Sequence, residues 1–147
     1  MYKFKQDLKT GKKYENLLIN HIKCLKFVIM EGYFPDYDVI VYKKNGGKST
    51  YEVKSDKQIN IYGNICIEYA CRDKPSGITT TKAKYWAIFE PKGDKYRLYK
   101  IPTKVIKELI ENKEYHKDTI GGDNYASRLY LFKKELFNDY IIYDNLF

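Results

Sequence analysis

The residues with the clearest chemical potential in this 147-residue sequence are Glu52 and Lys54, which flank Val53. They belong to a run at residues 49–55 whose pattern is typical of a β-strand. Residues two apart on a strand point to the same face, so a carboxylate and an ammonium group emerge side by side. Such a pair could hold a divalent cation against a phosphodiester and position the attacking water, which is the chemistry of metal-assisted hydrolysis.

A second acidic element precedes this strand in the segment Pro35-Asp36-Tyr37-Asp38. Asp38 stands immediately before a β-branched run, so we expect its carboxylate at a strand end that faces Glu52. Together with Glu52, the carbonyl of Val53 and bound waters, Asp38 would complete the oxygen shell that Mg²⁺ prefers. Asp36 is the alternative ligand because it follows the proline directly, but proximity to the strand favours Asp38.

Glu15 is the third candidate acid. Apolar residues recur at three- and four-residue spacing around it, which predicts one amphipathic helix over residues 9–31, ended by Gly32. Glu15 lies seven and fourteen positions before Ile22 and Ile29, on the apolar line of that helix. A carboxylate that faces a sheet is costly unless it is paired, hydrogen-bonded or bound to metal. We therefore expect Glu15 to complete the site, through a second metal ion or a metal-bound water.

Strands and helices alternate along the rest of the chain. A β-branched run at residues 39–42, the turn Asn45-Gly46-Gly47 and a strand at 48–55 predict an antiparallel hairpin. Strands are also expected at residues 64–71, 85–90, 95–101 and 128–132, and helical segments at 79–84 and 103–112. The order helix, three strands, helix, strand predicts an α/β fold, a mixed sheet flanked by helices, in one domain spanning residues 1–147.

The composition is that of a folded protein with excess positive charge. Hydrophobic residues make up 44% and charged residues 31%, which excludes a disordered tail. The net charge of +8 suits a polyanionic partner. However, only three of the 27 basic residues are arginine, while lysine, isoleucine, asparagine and tyrosine are abundant. An AT-rich genome produces that profile whatever the function, so the charge is weak support for nucleic-acid binding.

Cysteine usage and hydropathy bear on location. The three cysteines, Cys24, Cys66 and Cys71, form no CxxC pair and only two histidines accompany them, so we predict no structural zinc site. The N-terminus lacks a secretory apolar core, and no apolar run has the length of a membrane span. We expect an intracellular, reducing location, without secretion and without a membrane partner.

The acidic motifs and their order resemble those of the PD-(D/E)xK nuclease superfamily over residues 12–90. Residues 35–38 correspond to its PD region, residues 52–54 to its (D/E)xK element, and Glu15 to the helix-one glutamate of its archaeal-type Holliday-junction resolvases. The resemblance implies a restriction-endonuclease-like αβββαβ core with C-terminal additions. It also implies cleavage of DNA phosphodiester bonds that depends on Mg²⁺ or Mn²⁺.

Residue roles follow from this resemblance. Asp38, Glu52, the carbonyl of Val53 and Glu15 would bind the metal, and Lys54 would assist the water or the transition state. The small size and Glu15 favour branched or otherwise structured DNA as the substrate. Resolvase-like members act as dimers, so a homodimer is expected.

A polar stretch from residue 74 to residue 86 is the candidate surface for nucleic-acid binding. It combines hydroxyl side chains at a predicted helix start with lysines, and both suit phosphate groups. We predict that its contacts to the phosphate backbone come from Ser76, Thr79, Lys82 and Lys84. The alternative is that the hydroxyl residues only form turns and helix caps, a role that is compatible with phosphate contact.

Alternative functions stay open at this point. One is a non-catalytic nucleic-acid-binding module on the same fold, although such a module has no need for buried carboxylates that repel phosphate. Another is an RNA-directed endonuclease, because viral cap-snatching members of the superfamily use a helix histidine as a metal ligand and His21 lies on the predicted first helix. A third is a protein-interaction domain. Glu68, on the predicted third strand, could support the metal site or line an edge.

Overall fold

A mixed α/β fold is seen in the computed structural model, which describes residues 2–32 and 34–146 and the side chains of residues 10–32, 34–122 and 124–146. A six-stranded mixed sheet lies at the centre, beside a second sheet of four antiparallel strands. This confirms the predicted α/β class with a mixed central sheet. The described chain contains the helices α1 (Tyr2–Ile19), α2 (Gln58–Tyr62) and α3 (Thr103–Glu111). Within those residues, no helix has both the length and the apolar character that a membrane crossing requires.

The strands fall into the two sheets in a mixed order. Along the chain they are β1 (Lys26–Ile29), β2 (Val39–Tyr42), β3 (Lys48–Ser55), β4 (Asn64–Cys71), β5 (Lys74–Pro75), β6 (Tyr85–Lys92), β7 (Lys95–Pro102), β8 (Lys117–Gly121), β9 (Ser127–Lys133) and β10 (Ile141–Asp144). The central sheet has the order β1-β2-β3-β6-β7-β10 and the second sheet the order β5-β4-β9-β8. In the central sheet β3 and β6 are parallel, and the other described pairs are antiparallel.

The predicted hairpin of β2 and β3 is confirmed. Val39 pairs with Tyr51, and Tyr42 pairs with Lys48. Gly46 in the connecting turn has a φ of +87°, a conformation that glycine adopts without strain. The strands β6, β7 and β9 and the helix α3 also lie where the sequence predicts them, within two residues at each end.

The predicted helix over residues 9–31 is wrong in its second half. α1 ends at Ile19, and residues Lys26–Ile29 form β1, antiparallel to β2. A short apolar run that is partly β-branched fits a strand as well as a helix. Pairing with β2 decides the conformation here, so Gly32 does not end a helix.

Residues 64–71 form a strand with the predicted bounds, but in the other sheet. This strand, β4, pairs with β9 and not with the hairpin. The third strand of the antiparallel meander is β1. Parallel strands need a long crossover connection. The crossover from β3 to β6 contains α2, β4 and β5.

The predicted helical stretch at residues 79–84 is also wrong. A single 3-10 turn covers Gly77–Thr79, and non-helical chain follows up to β6. The N–H of Lys82 donates to the carbonyl of Asp36 at 2.8 Å. Because this donor bonds to a distant carbonyl, the segment does not continue as a helix.

Apolar side chains cover both faces of the central sheet. On one face, Tyr14 and Leu18 of α1 pack against Tyr51 of β3. On the other face, side chains of the second sheet and α3 pack around Trp86 of β6. Neighbouring residues of a strand point to opposite faces. Glu52 therefore points away from α1, towards the side of the second sheet.

Candidate active site

Asp38 is fixed at the start of β2 by three backbone contacts. Its N–H donates to the carbonyl of Tyr51 at 2.9 Å, and its carbonyl accepts the N–H of Met30 at 2.8 Å. Its carboxylate oxygen Oδ2 accepts the N–H of Val53 at 2.8 Å. The side chain of Asp38 thus bonds to β3 from a position just before the first residue of β2, which holds the carboxylate beside β3.

The carbonyl of Val53 lies on the same side of β3 as this carboxylate. In an extended strand, the N–H and C=O of one residue point to the same neighbour. Because the N–H of Val53 bonds to Asp38, its carbonyl also faces the side of Asp38. A backbone oxygen and a carboxylate are therefore neighbours at this strand end.

Glu52 is a buried carboxylate held by a hydroxyl group. Its side chain is 8% exposed. The hydroxyl of Thr81 donates to Glu52 Oε1 at 2.8 Å and accepts the N–H of Ala83 at 3.1 Å. The non-helical chain that precedes β6 thus orients the Glu52 carboxylate.

Asp38, Glu52 and Lys54 line one cavity of about 260 Å³. One wall is the loop before β2, and the other is formed by β4 and the 3-10 turn. The side chain of Lys54 is exposed, and its Nζ lies 6.0 Å from the centroid of the Trp86 ring. Asp38, Glu52 and Lys54, which the sequence singles out, are therefore brought together.

Burial and the charge of Asp38 raise the pKa of two carboxyl groups near the site. Burial, and then the charge of Asp38, raise the pKa of Glu52 to about 7, against the opposing effects of Lys54 and Thr81. Burial and Asp38 also raise the pKa of Glu15 to about 7, against the charge of Lys12. Asp38 is thus the common neighbour of two further acids. Negative charge accumulates here, and a bound cation would relieve it.

Glu15 approaches Asp38 from α1. Its side chain is half-buried, and its Oε2 atom is buried without a hydrogen-bond partner among the described residues. A buried carboxylate oxygen without a partner requires a water or an ion. Glu15 is not among the described residues that line the cavity, so its role would be indirect.

The donor set suits a hard cation that keeps its waters. Among the side chains of residues 10–32, 34–122 and 124–146, no three from His, Cys, Asp or Glu are arranged to hold an ion by themselves. Mg²⁺ does not need such a cage, because one or two carboxylates, waters and a substrate phosphate commonly bind it. Asp38, Glu52 and the carbonyl of Val53 could serve in this way. The uncompensated charge around Asp38 fits the same kind of ion.

Asp36 and Asp38 are the two candidates for the metal ligand in the segment 35–38, and the structure places them in different surroundings. Asp36 forms an ion pair with Lys82 at 3.8 Å, whereas Asp38 lines the cavity with Glu52. The backbone carbonyl of Asp36 also accepts the N–H of Lys82. Asp36 therefore attaches the loop before β2 to the chain before β6, and Asp38 is the candidate ligand.

The four predicted phosphate contacts are dispersed. Ser76 lines the cavity, and its hydroxyl donates to Glu68 at 3.0 Å. The hydroxyl of Thr79 donates to the carbonyl of Tyr69 at 2.8 Å. Lys82 is 73% exposed and pairs with an aspartate, and Lys84 lies against an aromatic ring outside the cavity lining. Of the four, only Ser76 belongs to the cavity wall.

Glu68 lines the cavity, and the local sequence does not predict its hydrogen-bond partners. Its carboxylate accepts the hydroxyl of Ser127 at 2.5 Å and that of Ser76 at 3.0 Å. Gly77 packs directly on its backbone, where an added Cβ would lie 2.2 Å from the Glu68 carbonyl oxygen. The turn residues before Gly77 signal a loop. No local pattern, however, links Glu68 to Ser127, which is 59 positions away.

His21 lies outside the site and beyond the end of α1. Its Nε2 is 2.6 Å from the hydroxyl of Tyr96, and its ring packs 4.5 Å from that of Tyr143. Burial lowers the pKa of His21. The expectation of a helix histidine is therefore wrong, and the RNA-directed interpretation loses the residue on which it rested.

Comparison with known proteins returns no relative. No protein-family model matches the chain, and neither a curated protein nor a solved structure matches it. The function must therefore be inferred from the chemistry of the cavity and from the surfaces around it.

Proposed function

We propose that this protein is a metal-dependent endonuclease that hydrolyses DNA phosphodiester bonds. The observation that carries the proposal is the convergence of Asp38, Glu52 and Lys54 on one cavity. Two carboxylates for a cation and an ammonium group for the phosphate or the water are the groups that this hydrolysis requires. Burial and the charge of Asp38 raise the pKa of Glu52 to about 7, and a bound cation would favour the charged form of this carboxylate.

The order of elements also supports this proposal. The PD-(D/E)xK resemblance implies a helix, three strands, a second helix and a fourth strand. Here α1 is followed by β1, β2 and β3, and β6 lies parallel to β3 after the crossover. The crossover differs from the expected single helix because it carries β4 and β5 as well as α2.

In the proposed mechanism, each residue has a defined task. Asp38, Glu52 and the carbonyl of Val53 would hold Mg²⁺ or Mn²⁺. When bound, the ion would polarise the phosphate and lower the pKa of water. Thr81 orients Glu52 by its hydrogen bond. Lys54 would neutralise charge on the phosphate or position the attacking water.

The substrate assignment rests on the resemblance and on charge. The helix-one glutamate, Glu15, favours branched or structured DNA, and the net charge of +8 suits any nucleic acid. A homodimer and an intracellular location near the DNA belong to the same proposal. A non-catalytic nucleic-acid-binding module is the rival that the experiment must separate.

The test is cleavage of labelled single-stranded, duplex and four-way-junction DNA, and of RNA, in Mg²⁺, Mn²⁺ or EDTA. We expect metal-dependent cleavage of DNA, reduced about 100-fold or more by Glu52→Gln and by Lys54→Ala. Glu108→Gln and Lys107→Ala, exposed positions on α3, are matched controls that should cleave normally. Binding in EDTA without cleavage in any metal would favour the binding module. Cleavage that survives both active-site substitutions would reject this site.

A further inference from the structure

A cluster of lysines lies on the sheet face opposite to Glu52. Lys100 of β7 is opposite Ala87 of β6, and Ala87 belongs to the core cluster under α1. Around it are lysines from the β2–β3 hairpin, from the chain before β1 and from the position just before β6. We call this surface the lysine patch, defined by Lys23, Lys43, Lys44, Lys84 and Lys100.

Two ammonium groups of the lysine patch share one aromatic ring. Lys100 Nζ lies 4.4 Å and Lys84 Nζ lies 5.5 Å from the centroid of the Tyr85 ring. That ring stacks on Tyr51 at 5.4 Å, and Lys100 Nζ is also 5.7 Å from the Tyr51 centroid. Cation–π contacts of this kind hold the charges in place.

No carboxylate among the described side chains forms an ion pair with the lysines of the patch. Burial lowers the pKa of Lys100, and the charges of Lys43 and Lys84 lower it as well, against the opposing effect of Tyr85. The ion pairs of the described side chains involve Lys82, Arg97 and Lys134, and none involves a lysine of the patch. Among the described side chains, the patch therefore holds like charges together without an ion-paired carboxylate.

The lysine patch is larger than the surface that one small anion would contact. Lys43, which neighbours Lys100, also lines a cavity of about 610 Å³ with Lys23, Cys24, Lys44 and Asn45. The positive charges thus continue from Tyr85 across the hairpin to the chain before β1. A single small anion would neutralise only one end of such a surface, whereas a chain of phosphates would meet all of it.

We propose that the lysine patch binds the phosphodiester backbone of a nucleic acid, at a surface separate from the Glu52 cavity. The contact needs no metal ion, and it places the predicted phosphate contact of Lys84 here and not at the cavity. Because the groups are ammonium ions against phosphate, binding is insensitive to sequence and falls steeply with salt.

The test measures binding of labelled DNA to proteins that all carry Glu52→Gln, in EDTA, from about 50 to about 200 mM salt. The patch variant is Lys43→Gln with Lys84→Gln. The control is Lys92→Gln with Lys95→Gln, a pair of exposed lysines at the other end of the β6–β7 hairpin. We expect the patch variant to lose about tenfold or more in affinity and about two units of the logarithmic salt slope. The control should change by less than about twofold.

Further variants and a competitor distinguish binding at the lysine patch from a general effect of net charge. Lys43→Arg with Lys84→Arg should keep the affinity, and Lys100→Met should weaken it without loss of thermal stability. Equal losses in the patch and control variants would overturn the proposal, because only net charge would then matter. Unchanged binding in the patch variant would also overturn the proposal. So would displacement of the labelled DNA by inorganic phosphate at a concentration similar to that of the DNA itself.

The result is independent of the proposed nuclease activity. If the wild-type protein cleaves DNA but the patch variant binds like the control, the lysine patch is rejected and the nuclease stands. If the patch variant loses binding but no protein cleaves in any metal, the patch stands and the nuclease is rejected.

Discussion

Glu52 is both buried and close to another carboxylate, and each of these properties disfavours its charged form unless a cation is bound. It is buried, and it lies beside the carboxylate of Asp38. Its one hydrogen-bond donor among the described side chains is the hydroxyl of Thr81, which orients the group but does not neutralise it. A residue kept in this state lowers stability, so its placement is best explained by a ligand that the folded protein binds.

The pH dependence of stability tests this interpretation. The pKa of Glu52 rises from its ordinary value of 4.5 to about 7 on folding. Between these values the folded protein binds more protons than the unfolded chain, so the contribution of Glu52 to the free energy of unfolding falls as pH rises through that window. Glu52→Gln removes this loss and keeps the shape of the side chain. We expect the variant to be more stable than wild type by on the order of 1–3 kcal/mol at pH 8.

Thermal melting with and without Mg²⁺ measures the effect. At pH 8 the ion should raise the melting temperature of the wild type by several degrees, and by less at pH 5, where protons compete with it. Glu52→Gln should lose most of this response. An identical Mg²⁺ response in both proteins would show that the ion binds elsewhere.

At the scale of elements, the 3-10 turn after β5 forms one wall of the cavity. Gly77 in this turn has a φ of +52°, and a Cβ added there would lie 2.2 Å from the carbonyl oxygen of Glu68. This close approach sets the position of Glu68 and Ser76 relative to the cavity. Only glycine meets both the conformation and the distance.

Replacement of Gly77 by alanine should therefore be severe. We expect Gly77→Ala to lower the free energy of unfolding by about 2–4 kcal/mol, through backbone strain and displacement of β4. Gly93→Ala is the matched control, because Gly93 has a φ of +65° with no atom within 4 Å of the added Cβ. It should cost only about 1 kcal/mol. Urea denaturation compares the two, and equal losses would mean that the contact with Glu68 is unimportant.

Elements also show how far sequence reasoning reaches. The spacing of Glu52 and Lys54 and the nearby Asp38 could be predicted because one hairpin positions them locally. The local sequence predicts the bounds of β4, but it carries no information about which strand pairs with β4. The sequence predicts helix where β1 forms, because the short apolar run of β1 fits the periods of both a helix and a strand. The hydrogen bonds of Thr81 with Glu52 and of Ser127 with Glu68 join residues 29 and 59 positions apart, and no local sequence pattern predicts them.

For the whole molecule, a buried charge network joins distant parts of the chain. Glu90 of β6 is fully buried and accepts hydrogen bonds from Asn60, Lys134, Arg97 and Tyr99. These partners come from α2, from the segment after β9 and from β7. Burial alone would raise the pKa of Glu90, but the hydrogen bonds from Lys134, Tyr99 and Asn60 outweigh it and lower the pKa. Its contribution to stability is therefore lost as pH falls, opposite to that of Glu52.

Loss of Glu90 should weaken both sheets together. Glu90→Ala leaves Lys134 and Arg97 without this partner, so we expect a loss of about 3 kcal/mol or more in the free energy of unfolding. Glu111→Ala, an exposed carboxylate at the end of α3, should change it by less than about 0.5 kcal/mol. Urea denaturation can be followed by the fluorescence of Trp86, buried between the sheets, and by far-ultraviolet circular dichroism. Coincident, shifted transitions would mean that the network supports one cooperative unit, whereas separate transitions would mean that the second sheet unfolds independently of the sheet that carries Glu52.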